Sequence, residues 1–250
     1  MPVEGRDSAR IAVMTIDRPE KRNALTPDML ANIESGAAML RSDEGRADAL
    51  VLAGAGKVFC AGFDLSLCRD DEQMMAALLT RLSGAIQALR RLPAPVVVAA
   101  HGGAIAGGCA LLGGADIVVS DREAKLGYPV IRLGVSPAVN APAIATAVSG
   151  SALRRLMLDP KLISGEEGMR FGLVHELVDS PDQVRDRAIE IATDLARKPP
   201  HGMHATKRWM NEIDRSDDAA LFQSALEASL SLAGGDEERR LLRTIWENNG

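Results

Sequence analysis

The chain has 250 residues, of which 46% are hydrophobic and 25% are charged, and its net charge is −5. These values suit one large domain, or a domain with a small appendage, around a well-filled core. The negative net charge excludes the broad basic surface of a nucleic-acid-binding protein. Basic residues do cluster locally, at Lys21-Arg22 and Lys207-Arg208, and such pairs are compatible with binding of a small anionic ligand.

Cysteine content and hydropathy favour a cytoplasmic protein that does not enter a membrane. Three cysteines with no C-x-x-C pair argue against a disulfide framework and against a structural zinc site, and we expect no metal. The N-terminal segment MPVEGRDSARIAV lacks the apolar stretch of a secretory signal. No apolar run approaches the roughly 20 residues that span a bilayer.

The first half of the chain alternates strand and helix signals. Residues 9–16 predict a strand, paired with residues 2–4 across a turn at 5–8. Thr26 as N-cap, Pro27 just inside the helix and apolar residues at helical spacing predict a helix over 27–41. The further predictions are strands at 48–53, 96–100, 117–120 and 124–126 and a helix at 71–92.

The second half is predominantly helical. The predicted helices are 140–158, 165–171, 182–198, 201–213, 217–233 and 235–247, with a short strand at 174–178. The alternation in the first half indicates an α/β fold with largely parallel strands. We therefore divide the chain into an α/β portion over 1–195 and a C-terminal helical region over 196–250, whose helices pack on this chain or on a neighbouring subunit.

Two separated stretches combine glycine with small apolar residues before a predicted helix. They are KVFCAGFDL at 57–65 and HGGAIAGGCALL at 101–112. The first N–H groups of a helix have no partner inside it, so two such helix starts can aim two donors at one oxygen. Two donors on a thioester carbonyl form an oxyanion hole. The alternative is that these glycines only allow tight packing of helix against strand.

Taken together, four ordered blocks resemble the crotonase superfamily, which includes enoyl-CoA hydratases and isomerases. The blocks are DRPEKRNALTPDML at 17–30, ALVLAGAGKVFCAGFDLSLC at 49–68, HGGAIAGGCALLGGADIVVSDREAKLGYPVIRLGVSPA at 101–138 and ISGEEGMRFGLVHELVD at 163–179. The resemblance implies a spiral of β-β-α units followed by a helical trimerisation region. It also implies a homotrimer or a dimer of trimers that acts on acyl-CoA thioesters in fatty acid metabolism.

The resemblance also assigns site residues. The backbone N–H groups of Phe63 and Gly107 correspond to the two oxyanion donors. Coenzyme A enters as part of the substrate, with no tightly bound cofactor. The positions implied to line its entrance or the acyl group are Lys21, Arg22, Ala24, Ala61, Asp64, Leu65, Ala106, Pro129 and Val130. Without the resemblance, Lys21 and Arg22 are read as an ordinary solvated face and Asp64 as the N-cap of the following helix.

The chain departs from the family pattern where the hydratases carry their catalytic glutamates. The first glutamate of the family lies in a Gly-Gly-Cys-Glu pattern, and this chain has Ala110 at that position. The second lies in a Gly-x-Pro-Glu pattern, and this chain has Val130 there. Neither side chain can transfer a proton, and such groups contribute on the order of 10²–10⁴-fold each. Residues 136–140 supply no carboxylate and residues 70–92 supply no lysine as replacements. The sequence therefore argues against hydration by two glutamates.

Few other groups remain for proton transfer. Tyr128 lies beside the vacated position at Val130, and its alternative role is a packing aromatic with its hydroxyl at the surface. His101 is expected to be structural, and Arg132, Ser136 and Asn140 can donate hydrogen bonds but are poor bases. Cys109 is expected to be a small buried hydrophobe.

Two hypotheses follow. The first is an acyl-CoA enzyme that stabilises a thioester enolate, with decarboxylation as the chemistry that needs least from protein acids and bases. The second is an acyl-CoA-binding protein with the fold and no turnover.

Overall fold

The computed structural model describes residues 9–42 and 45–248. The predicted pairing of the first strand with residues 2–4 lies outside these residues. The strands are β1 (Ile11–Ile16), β2 (Ala49–Gly54), β3 (Val96–Ala100), β4 (Gly103–Ile105), β5 (Ile117–Asp121), β6 (Lys125–Gly127) and β7 (Glu176–Val178).

The main sheet has five parallel strands in the order β1-β2-β3-β5-β7. β2 and β3 lie in its centre, and every residue of both strands is buried. This is the expected result for continuous apolar runs, because both faces of a parallel sheet are covered. The sequence prediction of a largely parallel α/β fold is confirmed.

A second, smaller sheet lies beside the first and carries the two glycine-rich stretches. β4 pairs in parallel with β6, and single bridges extend this pair on both sides. The bridges join Cys60 to Ala104, Leu25 to Phe63 and Leu126 to Ile163. The order across this layer is therefore Leu25, residues 60–63, β4, β6 and Ile163.

The ten α-helices of the described residues account for most of the remaining chain. They are α1 (Pro27–Met39), α2 (Met74–Arg90), α3 (Gly107–Leu111), α4 (Ala141–Ala147), α5 (Gly150–Leu158), α6 (Gly165–Phe171), α7 (Pro181–Ala196), α8 (Pro200–Asp214), α9 (Ala219–Leu230) and α10 (Asp236–Asn248). Short 3₁₀ helices at Leu65–Cys68, Pro129–Leu133 and Pro137–Asn140 also border the site. The Thr26 side chain accepts a hydrogen bond from the N–H of Met29, as predicted for the cap of α1.

Two predictions of secondary structure were wrong, and one short strand was not predicted. The helix expected over 140–158 is two helices, because Val148 is extended and the Ser149 side chain caps α5 by accepting from the N–H of Ala152. The helix expected from residue 71 begins at Met74, after the 3₁₀ turn at Leu65–Cys68. β4 was not predicted, since three residues give no periodicity.

The core has two parts, one on each face of the main sheet. One face packs against α1 and α2 through the larger apolar side chains, including Leu50, Leu52 and Val98. The other face presents Ala49, Val51, Ala53, Val97 and Ala99 to α7. α7 meets it with a stripe of small residues spaced four apart: Val184, Ala188, Ala192 and Ala196.

The C-terminal helices pack on this chain. On α8, the Lys207 ammonium donates to the Asp116 carboxylate at 2.6 Å and to the Ala94 carbonyl at 3.0 Å. α9 packs against the Pro137–Asn140 turn, where the Ser229 hydroxyl accepts from the N–H of Val139 at 2.9 Å. α10 packs against Pro129–Leu133. The division at residue 195 stays a prediction. None of the described helices combines the length and apolar character needed to cross a bilayer.

Candidate active site

A cavity of about 290 Å³ lies between the small sheet, α2 and the 3₁₀ turns that follow β6. Its lining residues are Ala61, Phe63, Leu65, Met75, Leu79, Leu82, Ile105, Ala106, Gly107, Ala110, Tyr128, Pro129, Val130, Arg132, Leu133, Val135, Ser136, Pro137, Val139, Asn140 and Ile245. Most of these side chains are apolar. The two glycine-rich stretches therefore meet at one apolar cavity.

The backbone around Phe63 leaves one N–H group outside the hydrogen bonding of the sheet. The N–H of Leu25 donates to the Gly62 carbonyl at 2.7 Å, and the N–H of Asp64 donates to the Leu25 carbonyl at 3.0 Å. These two bonds complete the bridge to Leu25 without using the N–H of Phe63. Among the described residues, the Phe63 N–H has no hydrogen-bond acceptor.

The second donor begins α3. Ala106 precedes the helix with φ of +52°, and its N–H donates to the Gly127 carbonyl at 2.8 Å. The next N–H, that of Gly107, belongs to the first helical residue and has no acceptor within the part of the chain that the structure describes. A helix start leaves such groups free for a ligand.

Glycine is required where these two segments touch. Gly62 has φ of +102°, and a Cβ placed there would lie 3.0 Å from the Ala106 Cβ and 3.7 Å from the Gly107 nitrogen. A Cβ on Gly107 would lie 3.0 Å from the Phe63 ring. The sequence offered two explanations for these glycines, tight packing of helix against strand and exposure of two N–H donors. Both apply to the same positions.

The positions implied for coenzyme A divide between the cavity and its surroundings. Ala61, Leu65, Ala106, Pro129 and Val130 line the cavity. The other four positions, which are Lys21, Arg22, Ala24 and Asp64, do not line it.

The loop that carries Lys21 and Arg22 is fixed to the first glycine-rich stretch. Both cationic side chains are exposed. The N–H of Ala61 donates to the Arg22 carbonyl at 3.0 Å. The Asn23 amide donates to the carbonyls of Ala55, Val58 and Phe59, at distances between 2.8 and 3.0 Å. The two surface cations are thereby held beside the Ala61 edge of the cavity.

Asp64 has structural partners. Its carboxylate accepts from the N–H and the hydroxyl of Ser66 and forms an ion pair with Arg18 at 2.7 Å. Burial by itself raises the pKa of Asp64, but the bonds from Ser66 and Arg18 outweigh it and hold the pKa below the usual 3.8. The N-cap role considered for this residue is present.

Tyr128 is 1% exposed, and its hydroxyl is bonded inside the protein. The hydroxyl donates to the Cys109 carbonyl at 3.2 Å and accepts from the Asn140 amide at 2.5 Å. Burial raises the pKa of Tyr128 well above 10. The alternative role predicted a surface hydroxyl, and that part was wrong.

The two positions that lack glutamate face the same cavity. Ala110 is 2% exposed, and Val130 is half-buried on the Pro129–Leu133 turn. No carboxylate lines the cavity among the described residues, and Arg132 is its one charged side chain. The site therefore offers hydrogen-bond donors and apolar surface, without the expected acids and bases.

Two further candidates from the sequence, Cys109 and His101, contact other parts of the protein. Cys109 is fully buried, and burial raises the pKa of its thiol to about 12, as expected for a small hydrophobe. A His101 ring nitrogen lies 3.0 Å from the Gly56 carbonyl. His101 does not line the cavity.

The helix over 71–92 was expected to bound the cavity, but the sequence did not identify which of its residues, or which residue of α10, form the cavity wall. Met75, Leu79 and Leu82 project from α2, and Ile245 comes from α10. Helical spacing marked the α2 residues as buried, but nothing in the sequence separated core from cavity. Ile245 lies more than 100 residues from either glycine stretch, and only the fold brings it to the site.

Comparison with known proteins agrees with the family resemblance found in the sequence. The enoyl-CoA hydratase/isomerase family pattern matches residues 6–238. The chain is 30% identical over 210 residues to the (E)-benzylidenesuccinyl-CoA hydratase of Thauera aromatica, covering 83% of this chain and 81% of that protein. It is 30% identical over 220 residues to the short-chain-enoyl-CoA hydratase of Clostridium acetobutylicum, covering 86% and 84%.

A solved structure agrees over nearly the full length. The enoyl-CoA hydratase/isomerase from Mycobacterium paratuberculosis superposes with a TM-score of 0.84 at 25% identity, covering 98% of this chain and 99% of that one. The resemblance to the crotonase fold is thus confirmed. With the family pattern spanning most of its length, this chain belongs to the enoyl-CoA hydratase/isomerase family of the crotonase superfamily.

Proposed function

We propose that this protein binds an acyl-CoA thioester and polarises its carbonyl oxygen with the N–H groups of Phe63 and Gly107. The observation that carries the proposal is the pair of N–H groups that have no acceptor among the described residues, on touching segments at the wall of one apolar cavity. Preorganised donors of this kind stabilise an enolate, and each is worth about 3 kcal/mol of barrier in related sites. The names of the relatives, which are CoA-thioester hydratases, support the same substrate class.

The coenzyme A portion is proposed to lie at the Ala61 edge of the cavity. Lys21 and Arg22 are exposed there and suit its phosphates. The Ala24 and Asp64 segments hold this edge in place, and Leu65, Ala106, Pro129 and Val130 surround the thioester and the acyl group. Tyr128 is proposed to position the wall of the cavity rather than to move a proton.

The reaction is proposed to need little from protein acids and bases. Decarboxylation of a thioester whose carboxylate is on the α-carbon fits this site. The carbon–carbon bond breaks, CO₂ leaves with its oxygens, and the electron pair remains as the enolate held by the two donors. Water then protonates the carbon, and the hydroxide that remains combines with the CO₂ to give bicarbonate. Ala110 and Val130 make hydration by two glutamates the less suitable reaction.

A second candidate function is binding of acyl-CoA without turnover. The observation that favours it is the lack of a carboxylate among the described residues that line the cavity.

We also propose a homotrimer or a dimer of trimers. Trp209 and Ile213 on α8 are 61% and 60% exposed, and Met210 beside them is 49% exposed. Apolar side chains grouped in this way suit contact with another copy of the chain. Sedimentation equilibrium tests this, and a monomer at micromolar concentration would contradict it.

Infrared difference spectroscopy with butyryl-CoA labelled with ¹³C at the thioester carbonyl tests the two donors directly. We expect the carbonyl stretch to move to lower frequency on binding, because two N–H groups polarise the bond. A bound thioester with an unshifted stretch would contradict the oxyanion hole. A crotonyl-CoA hydration assay of the wild type beside Ala110→Glu/Val130→Glu tests whether the thioester site is intact and whether the wild type hydrates at all. Activity confined to the double variant indicates an intact thioester site with another natural role.

A further inference from the structure

The polar groups that line the cavity are unequally distributed between donors and acceptors. The Tyr128 hydroxyl and the Asn140 amide nitrogen bond to each other, and the buried Asn140 Oδ1, which has no partner among the described residues, lies toward Gly113. The Ser136 hydroxyl accepts from the N–H of Ala138, and its own proton has no acceptor among the described residues. Arg132 is exposed and lines the cavity, and none of the lining residues that the structure describes is a carboxylate. The cavity is therefore complementary to a ligand that is rich in acceptors and carries negative charge.

Arg132 has no ion pair or hydrogen bond within the part of the chain that the structure describes. The acidic residues that begin α10 pack near this turn, but none of those described lies within ion-pair distance of Arg132. A Cβ on Gly134 would lie 3.3 Å from the Glu237 Cγ, and the buried Glu238 carboxylate accepts from the N–H of Gly234. A guanidinium binds a carboxylate through two parallel hydrogen bonds when one is offered.

The position of Arg132 separates it from the proposed coenzyme A edge. The small sheet runs from Leu25 through residues 60–63 and β4 to β6. Neighbouring strands lie about 4.8 Å apart, so β6 is about 14 Å from Leu25. Arg22 precedes Leu25 on the first side, whereas Arg132 follows β6 on the other. A single acyl-CoA can thus reach Arg22 with its phosphates and Arg132 with the end of its acyl group.

The cavity volume is sufficient for a short acyl group. Its value of about 290 Å³ is near the lower end of small-molecule sites, which span about 300–1,000 Å³. A short chain with a terminal carboxylate fits this space. Met75, Leu79 and Leu82 provide apolar contact for the methylenes between the two polar ends.

We propose that the acyl group carries a carboxylate at the end remote from the thioester, separate from the α-carboxylate that decarboxylation removes, and that Arg132 binds it. This inference rests on the proposed function, since it names the substrate class of the same site. It makes Arg132 a specificity-determining residue that discriminates a dicarboxylic acyl-CoA from a simple fatty acyl-CoA.

Isothermal titration with two saturated probes of equal length tests the inference. Hexanedioyl-CoA and hexanoyl-CoA differ only in the terminal carboxylate. We expect the wild type to bind hexanedioyl-CoA at least tenfold more tightly. In Arg132→Gln, binding of hexanedioyl-CoA should weaken about tenfold or more, with less than a twofold change for hexanoyl-CoA. Arg132→Lys should retain part of the preference, because the charge remains.

Two further arginines serve as controls. Arg22→Gln should weaken both probes and free coenzyme A alike, because it acts on the phosphates. Arg154→Gln removes an exposed arginine on α5 that does not line the cavity, and it should change neither affinity. Thermal unfolding of each variant verifies the fold.

The outcomes separate the two proposals. Equal binding of both probes by the wild type would overturn the inference and leave the proposed function standing. If Arg132→Gln weakened free coenzyme A and both probes alike, Arg132 would bind the phosphates, and the inference would again be overturned. Failure of every thioester to bind would overturn the proposed function and this inference with it.

Discussion

The Tyr128 hydroxyl is held by the Asn140 amide, whose nitrogen lies 2.5 Å away, and its proton is directed to the Cys109 carbonyl at 3.2 Å. Both sides of the hydroxyl are therefore occupied within the protein. We predict that Tyr128→Phe lowers the free energy of unfolding by about 1–3 kcal/mol, because the Asn140 amide and the Cys109 carbonyl lose a buried partner. Urea denaturation followed by circular dichroism measures this. A variant of full stability that loses turnover would instead identify Tyr128 as a proton donor.

The Asp64 ion pair with Arg18 predicts acid-sensitive stability. Since the folded-state pKa of Asp64 is held below its unfolded value, its contribution is present above the unfolded pKa and is lost as pH falls through the folded pKa. Asp64→Asn should lower the free energy of unfolding at pH 7 by about 1–3 kcal/mol. Urea midpoints of wild type and variant should converge as pH falls below about 4. A constant difference between them at every pH would show that charge is not the cause.

The buried carboxyl of Glu238 predicts a stability that falls as pH rises, which is the opposite of the dependence predicted for Asp64. Glu238 is 3% exposed, and burial raises the pKa of its carboxyl above 4.5, although the N–H of Gly234 and the charge of Arg239 oppose the shift. A raised carboxyl pKa makes the stability fall as pH rises from the unfolded pKa through the folded one.

Glu238→Gln keeps an oxygen for the Gly234 N–H and cannot ionise. We expect its urea midpoint to exceed that of the wild type at pH 7 and to match it near pH 4. A lower midpoint at pH 7 would show that the ionised carboxylate is favourable to the fold.

Gly107 allows a test of the oxyanion donors with a matched control. A Cβ at this position would meet the Phe63 ring at 3.0 Å, so Gly107→Ala should displace both donor segments. We predict at least tenfold weaker binding of butyryl-CoA with little change for free coenzyme A, measured by titration calorimetry. Gly202→Ala on α8, where a Cβ has nothing within 4 Å, should leave both affinities unchanged. Equal loss of thioester and coenzyme A would point to a general disruption of the site.

Much of the fold was predictable from local sequence. β3 extends from Val96 to Ala100, as the apolar run predicted, and α1 begins at the Thr26-Pro27 signal. The signal for the break between α4 and α5 was present in Ser149-Gly150, since serine before a helix is a frequent N-cap. It was overlooked because apolar periodicity continues across it.

The candidate site was predictable only in part. The glycine stretches mark the two donor segments, because the close approach at Gly62 and Gly107 excludes larger residues. The Arg18 partner of Asp64 and the wall supplied by Ile245 were not predictable. Both depend on which distant segments the tertiary fold brings together, and a single sequence gives no record of those contacts.

The single bridges of the small sheet join distant parts of the chain, and this determines how ligands of the cavity can be identified. The pairs Leu25–Phe63, Cys60–Ala104 and Leu126–Ile163 join positions roughly 40 residues apart, and such non-local pairing makes folding slow. The cavity is lined by residues from Ala61 to Ile245, so a molecule that binds there is expected to bind the folded chain and not the unfolded one. By mass action, a ligand at 100 times its dissociation constant adds about 2.7 kcal/mol to the free energy of unfolding. The melting temperature of the intact protein can therefore rank a library of acyl-CoA thioesters before any reaction is known.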